Sequence, residues 1–167
     1  MAAPHLVELA AQVRRHTIEL LTAVPEACLL WAPSGTSNHI FWHAGHAVWL
    51  LDVLFLELIA GQSELPASWT ETFGMDCRPV HETNRLGAWP SRSEVERRLH
   101  SQLDRVIQRI AELPTERFAP DAPAELGSRN LLSCFVHAWH DEARHQGEMY
   151  LLLKQWRVRR DSSLTNS

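Results

Sequence analysis

The sequence predicts an all-α protein, a four-helix bundle with a long crossover between its second and third helices. Apolar residues recur at spacings of three and four in four long segments, which is the pattern of amphipathic helices. No segment shows a convincing strand pattern. The chain has 167 residues, 45% of them hydrophobic and 22% charged, which is the size and composition of one globular domain.

The first two predicted helices lie in the N-terminal third of the chain. The first spans residues 4–23 and ends before Pro25, because a residue that precedes proline disfavours the helical conformation. A connection rich in Pro, Gly, Ser and Thr then leads to an N-cap. The second helix is predicted over residues 38–60, with Gly61 as its stop signal.

The third and fourth predicted helices are separated from the second by a crossover. Residues 61–90 contain several prolines and glycines and predict a long connection with short helical turns, of the kind that often forms the rim of a site. Ser91 and Glu94 form a capping box that starts the third helix. That helix ends at Leu113, because Pro114 follows it.

The fourth predicted helix completes the domain. Either Ser128 or Asn130 caps it, and it extends to about Arg157. The sequence therefore predicts a single domain over residues 1–157 and a flexible C-terminal tail over residues 158–167.

Charge and cysteine content exclude several classes of protein. A net charge of −4 argues against a nucleic-acid partner, because such proteins usually carry a basic field. The three cysteines, Cys28, Cys77 and Cys134, are far apart and form no CxxC pair, which predicts a reducing, cytoplasmic location. The longest apolar run is interrupted by His46 and Asp52, so we expect no membrane partner.

The second predicted helix carries a cluster of histidines. Six of the 10 histidines lie in two short windows of the sequence. At 100° per residue, His39, His43 and His46 fall within about 60° of one another. Gly45 lies inside this helix and indicates close helix packing near the cluster.

The fourth predicted helix carries the matching cluster. His137, Asp141 and His145 follow one another at intervals of four residues and fall within about 80° on the helix. His140 lies roughly 140° from His145 and cannot serve the same site. Gly147, close by, again indicates tight packing.

This residue set suits a metal ion. Neutral imidazole is the commonest protein metal ligand, and one carboxylate supplies charge. Three ligands from two facing helices leave coordination positions open, which is typical of a catalytic metal. The alternatives are hydrogen-bonded core histidines and a Cys134–His137 nucleophile pair, although a buried thiol is the more common role of such a cysteine. Trp42, Trp49 and Trp139 lie close to the histidines in sequence and are expected to form core packing or a pocket wall.

Two motifs carry a resemblance to a known family. They are Trp42-His43-Ala44-Gly45-His46 and His137-x3-Asp141-x3-His145-Gln146-Gly147-Glu148. Together, on the second and last helices, they resemble the DinB-like superfamily of metal-dependent four-helix-bundle enzymes, and the helix order fits along nearly the whole chain. Many members have a histidine where this chain has Asp141.

The resemblance implies a down-up-up-down bundle with a divalent metal ion, commonly nickel or zinc and sometimes iron. The implied ligands are His46 or His43 from the second helix, with Asp141 and His145 from the fourth. The carboxylate favours Zn²⁺, Mn²⁺ or Fe²⁺.

The implied activity is that of a metal-dependent transferase or hydrolase. Its most concrete form is a thiol-dependent S-transferase or isomerase that acts on a small molecule with a low-molecular-weight thiol. The alternatives are a non-catalytic metal-binding or stress-response protein and a family member that binds no metal. A homodimer is also expected from the resemblance.

Overall fold

The structure is a computed structural model that describes residues 4–75 and 89–165, with side chains as far as residue 162. It is all-α, as predicted, and no strand occurs in those residues. The helices are α1 Pro4–Ala23, α2 Glu26–Leu29, α3 Ile40–Leu51, α4 Glu57–Ala60, α5 Ala67–Phe73, α6 Arg92–Glu112 and α7 Leu131–Thr165. A π-helical turn, Asp52–Leu56, joins α3 directly to α4, and a 3-10 turn, Thr115–Phe118, follows α6.

Four long helical segments surround one core. Helix α1 packs against α6 and α7, and α3 packs against α7, α6 and the short α5. Large apolar side chains fill the space between them, among them Phe55, Leu99, Ile110, Phe135 and Trp139. The down-up-up-down order of the helices stays a prediction.

The predicted helix ends are set by local hydrogen bonds. Ser91 Oγ accepts a hydrogen bond of 3.1 Å from the Glu94 amide and caps α6, as predicted. Asn130 Oδ1 accepts one of 2.9 Å from the Ser133 amide, so Asn130 rather than Ser128 caps α7. Gly61 ends α4 with a φ of 76°, a left-handed conformation that favours glycine.

The last helix is longer than the sequence predicted. Helix α7 continues to Thr165, so its predicted end at Arg157 is wrong, and the predicted tail over residues 158–167 begins as helix. The segment contains no glycine or proline to stop it. The guanidinium of Arg159 also lies 5.9 Å from the Trp31 ring, which ties this extension to the connection before α3.

The crossover over residues 61–90 contains a short helix, as predicted, in α5. Residues 76–88 of the crossover, with Cys77 and His81, lie outside the described residues. The continuous helix Ile40–Ala60 is long and apolar enough to cross a membrane, yet 72% of its most apolar window is buried inside the protein. Such burial is expected of the core helix of a soluble protein.

The two helical glycines differ in their surroundings. A Cβ at Gly45 would lie 2.1 Å from the ring of Phe73 in α5, so α3 and α5 approach each other closely there. A Cβ at Gly147 would meet nothing within 4 Å. The prediction of tight packing is therefore confirmed at Gly45 and wrong at Gly147.

Candidate metal centre

Helices α3 and α7 bring His46, Asp141 and His145 together. Asp141 Oδ2 lies 3.4 Å from His46 Nε2 and 3.0 Å from His145 Nε2. All three residues are buried, with exposed fractions of 1%, 8% and 8%. Ligand atoms of the three lie within 4.8 Å of one another, so the group can hold a metal ion. We call this set the inner group.

The backbone of α5 orients His46. Its Nδ1 lies 2.6 Å from the carbonyl oxygen of Phe73. A carbonyl can only accept, so Nδ1 carries the proton, and the lone pair of Nε2 faces Asp141. The indole of Trp42 stacks on the same imidazole at 4.6 Å. Metal-ligating histidines are commonly held in this way, with the other ring nitrogen donating to a carbonyl.

The carboxylate of Asp141 is held in its ionised form. Burial raises its pKa, but the neighbouring imidazole of His145 acts in the opposite direction, and the pKa lies well below its usual value. Its Oδ1 accepts a 3.0 Å hydrogen bond from Arg144. Its Oδ2 is buried and, among the described residues, has no partner of hydrogen-bond geometry. A buried acceptor between two imidazole nitrogens is a place where a cation fits.

A second group lies on the other side of His145. His145 Nδ1 is 2.8 Å from His43 Nδ1, and Glu148 Oε2 lies 3.2 Å from His43 Nδ1 and 3.5 Å from His145 Nδ1. This outer group can also hold a metal ion. Burial, together with the nearby imidazoles, lowers the pKa of His43 to about 3, so His43 is neutral. Unlike the inner group, the outer group is open to solvent, because the Glu148 side chain is 50% exposed.

The other histidines of the described residues stand apart from both groups. His39 is the N-cap of α3, and its Nδ1 accepts a 2.9 Å hydrogen bond from the Trp42 amide. His137 is half-buried and belongs to neither group. Within residues 4–75 and 89–162, the exposed histidines are His5, His16, His100 and His140.

Tryptophan side chains attach the crossover to the site. Trp42 Nε1 donates to the Thr72 carbonyl at 3.1 Å, and Trp49 Nε1 donates to Thr70 Oγ1 at 3.1 Å. Both acceptors belong to α5, so two indoles next to the histidines hold the helix that orients His46. Trp139 instead lies in the core, with the guanidinium of Arg14 at 5.1 Å from its ring.

The cysteine alternative finds no support. Cys28 and Cys134 are both buried free thiols. Burial raises the pKa of Cys134, whereas a nucleophilic cysteine needs a lowered pKa. Cys134 is therefore a core residue.

A buried ion pair joins α1 and α7, and its carboxylate residue, Glu142, directly follows Asp141 in the sequence. Arg14 Nη2 of α1 and Glu142 Oε2 of α7 are 2.9 Å apart, with exposed fractions of 0% and 2%. Thr17 Oγ1 donates a 2.6 Å hydrogen bond to the other oxygen of Glu142. Gln102 of α6 accepts from Arg14 at 3.5 Å and donates to the Val48 carbonyl of α3 at 2.9 Å. The network thus connects all four long helical segments.

A cavity of about 240 Å³ opens beside the outer group. Its walls come from the connection before α3 and from α7, and His43 and Glu148 lie in its lining. It provides a route for a small molecule to His43 and Glu148 of the outer group.

Comparison with known proteins identifies the family of this chain. No curated protein sequence matches the chain. The family model of the DinB superfamily matches residues 9–149, a stretch that contains most of α1, the core of the helical bundle and every residue of the two groups. The chain therefore belongs to the DinB superfamily.

Proposed function

We propose that this protein is a metal-dependent enzyme that holds a divalent cation between His46, Asp141 and His145. The proposal rests on the surroundings of Asp141 Oδ2. This oxygen is buried between two imidazole Nε2 atoms and accepts no hydrogen bond in the described part of the chain. Two imidazoles and one carboxylate form a donor set that suits zinc, nickel, iron or manganese.

Orientation and burial favour His46 over His43 as the ligand from α3. The Phe73 carbonyl fixes the proton of His46 on Nδ1 and leaves Nε2 free toward Asp141. His43 instead faces His145 Nδ1 and the half-exposed Glu148. A site around His43 would be open to water and would lack the Asp141 carboxylate.

The chain's own residues prepare the site for chemistry on a small molecule. The inner group holds the reacting centre in a dry environment, where electrostatic interactions are stronger than in water. Trp42 covers one face of His46, and the 240 Å³ cavity admits the substrate. A divalent cation, when bound, supplies Lewis acidity that lowers the pKa of a thiol or of water. We therefore propose a transferase or hydrolase, most concretely a thiol-dependent S-transferase or isomerase.

Metal analysis of variants tests the ligand set. We expect one equivalent of metal in the wild-type protein, and a loss of affinity of more than about 100-fold in His145→Ala and Asp141→Asn. His140→Ala is the matched control, because His140 is an exposed histidine on the same helix. Equal metal content in the wild type and His145→Ala would end the metal proposal.

Activity separates an enzyme from a non-catalytic metal-binding protein. The metal-loaded protein is assayed with glutathione, mycothiol or bacillithiol and an electrophile. Turnover that disappears in Asp141→Asn supports the enzyme. Tight metal binding with no thiol binding and no turnover supports the metal-binding or stress-response alternative instead.

We further propose that the protein is a cytoplasmic homodimer. Helix α7 exposes several large apolar side chains, namely Val136, Tyr150, Leu151 and Val158. An exposed apolar stripe along one helix is typical of a protein interface. Light scattering tests this: the wild type should have twice the chain mass, and Tyr150→Glu should be a monomer. A monomeric wild type would refute the dimer.

A further inference from the structure

The second buried histidine of α3 has no role in the proposed ligand set. His43 lies three residues before His46, and its side chain is only 4% exposed. Buried ring nitrogens are usually hydrogen-bonded. His43 Nδ1 lies 2.8 Å from His145 Nδ1, in hydrogen-bond geometry. Two ring nitrogens at this distance share one proton, because one of them has to donate and the other has to accept.

The ligand set decides which of the two nitrogens donates. A neutral imidazole has one N–H, so a ring that ligates through Nε2 carries its proton on Nδ1. In the proposed centre, His145 faces Asp141 with Nε2, at 3.0 Å from Oδ2. When Nε2 binds the metal, Nδ1 of His145 is therefore the donor and Nδ1 of His43 is the acceptor.

We propose that His43 is a positioning residue, which accepts the Nδ1–H of His145 and so aims Nε2 of that ring at the metal. This inference rests on the proposed function, because it takes the ligand atom of His145 from the inner group. Ligating histidines commonly donate their other N–H to a fixed acceptor. The Phe73 carbonyl has that role for His46, and His43 has it for His145.

The surroundings of His43 make it a fixed acceptor. Its backbone belongs to α3, and its amide donates a 3.3 Å hydrogen bond to the carbonyl of His39. The ring of Trp42 packs edge-on against the rings of His43 and His145, with centroid distances of 5.3 and 5.8 Å, and restricts their rotation. One helix thus supplies both a ligand, His46, and the acceptor that orients a ligand of α7.

Glu148 is the competing acceptor for the same proton. Its Oε2 lies 3.5 Å from His145 Nδ1 and 3.2 Å from His43 Nδ1. A separation of 3.5 Å is too long for a good hydrogen bond, and the Glu148 side chain is 50% exposed to water. The contact between the two imidazoles is shorter and buried, so we expect it to orient His145.

Cadmium-113 and ¹⁵N-labelled histidine identify the proton and the ligand atoms directly. In the cadmium-loaded wild type we expect couplings from the metal to Nε2 of His46 and of His145. The ring proton of His145 should be on Nδ1, with a scalar coupling across the hydrogen bond to Nδ1 of His43. A cadmium coupling to His43, or no coupling between the two Nδ1 atoms, would overturn the inference.

Zinc affinity measures how much the acceptor contributes. His43→Leu removes the acceptor and should weaken zinc binding by about 10–100-fold. His43→Asn places an amide oxygen where Nδ1 was and should recover most of the lost affinity. A purely structural role predicts the opposite order, because leucine suits a buried site better than asparagine does. Equal affinity in His43→Leu and the wild type, or no recovery in His43→Asn, would contradict the positioning role.

Two control variants separate His43 from its neighbours. Glu148→Ala removes the competing acceptor and should keep the zinc affinity of the wild type. His39→Asn removes another buried histidine of the same region, keeps an N-cap acceptor and should also leave zinc binding unchanged. A loss in either control as large as that in His43→Leu would overturn the inference.

Zinc stoichiometry separates this inference from the proposed function. One equivalent that is lost in Asp141→Asn but bound normally by His43→Leu would support the metal centre and refute the positioning role. A second equivalent that disappears in His43→Leu and Glu148→Ala would make the outer group a metal site, and would also refute it. A wild type that binds no zinc would overturn both proposals.

Discussion

The substitution Gly45→Ala tests how closely α3 and α5 must approach to form the inner group. The added Cβ would lie 2.1 Å from the Phe73 ring, about 1.3 Å short of an ordinary 3.4 Å contact. The ring is fully buried, and the rings of Phe41, Trp69 and Trp89 lie 4.8–6.5 Å from it. A displaced Phe73 ring would therefore press on these aromatic neighbours.

The expected size of the effect is the balance of two opposing contributions. Overpacking of a filled core costs about 1–3 kcal/mol, and the enclosed ring places this site at the upper end. Replacement of a helical glycine by alanine recovers about 1 kcal/mol. We expect the free energy of unfolding to fall by about 2 kcal/mol, which lowers Tm by about 4–8 °C in a domain of this length.

Gly147→Ala is the matched control on the facing helix. No atom lies within 4 Å of the added Cβ, so only the helix contribution remains, and we expect about 1 kcal/mol of stabilisation. Urea and thermal unfolding of both metal-free variants measure the difference. If Gly45→Ala is as stable as Gly147→Ala, the close contact between α3 and Phe73 is not present in solution.

Zinc titration adds a second measurement on the same pair. A shift of Phe73 moves the carbonyl that orients His46, so Gly45→Ala should weaken zinc binding about tenfold. Gly147→Ala should leave the zinc affinity unchanged. Unchanged affinity in both variants would show that the Phe73 carbonyl does not position His46 for the metal.

Two further predictions concern buried charge. Arg14→Met should lower the free energy of unfolding by about 3–5 kcal/mol, because it leaves Glu142 as an unpaired buried carboxylate. Adding Glu142→Gln should recover most of this loss, as measured by urea unfolding. A double variant no more stable than Arg14→Met would contradict this. Burial lowers the pKa of His39 from 6.5 to about 4 and, with neighbouring imidazoles, that of His43 to about 3. Below pH 6.5 both histidines become protonated in the unfolded chain but stay neutral in the folded chain. The free energy of unfolding therefore decreases as the pH falls. Between pH 7 and 5 the free energy of unfolding of the metal-free protein should fall by about 2 kcal/mol for each histidine. His39→Asn keeps an N-cap acceptor and should halve this fall. If the free energy of unfolding of His39→Asn depends on pH as it does in the wild type, the lowered pKa of His39 is refuted.

Local signals in the sequence were enough to predict much of the fold. The apolar periodicity predicted α1 and α6 to within a residue or so, because each helix buries one face and ends at a clear signal such as Pro25 or Pro114. The end of α7 was missed because no breaking residue marks it. The helix beyond Arg157 depends instead on tertiary contacts such as that between Arg159 and Trp31.

The candidate site was predictable in its side chains and less so in its surroundings. Spacing of four residues places Asp141 and His145 on one helix face whatever the rest of the chain does. His43 and His46 lie within about 60° on α3, so angle alone could not choose between them. Our proposal of His46 rests on the Phe73 carbonyl, a backbone atom in the crossover that no residue pattern indicates.

The buried ion pair between Arg14 and Glu142 has a consequence for the alignment of the helices. Apolar side chains can slide past one another at moderate cost, but a buried guanidinium cannot move away from its carboxylate without leaving both charges desolvated and unpaired. A slip of α1 along α7 by one turn, about 5.4 Å, would therefore separate them at a cost of several kcal/mol. The ion pair thus opposes sliding of α1 along α7, the helix that carries Asp141 and His145.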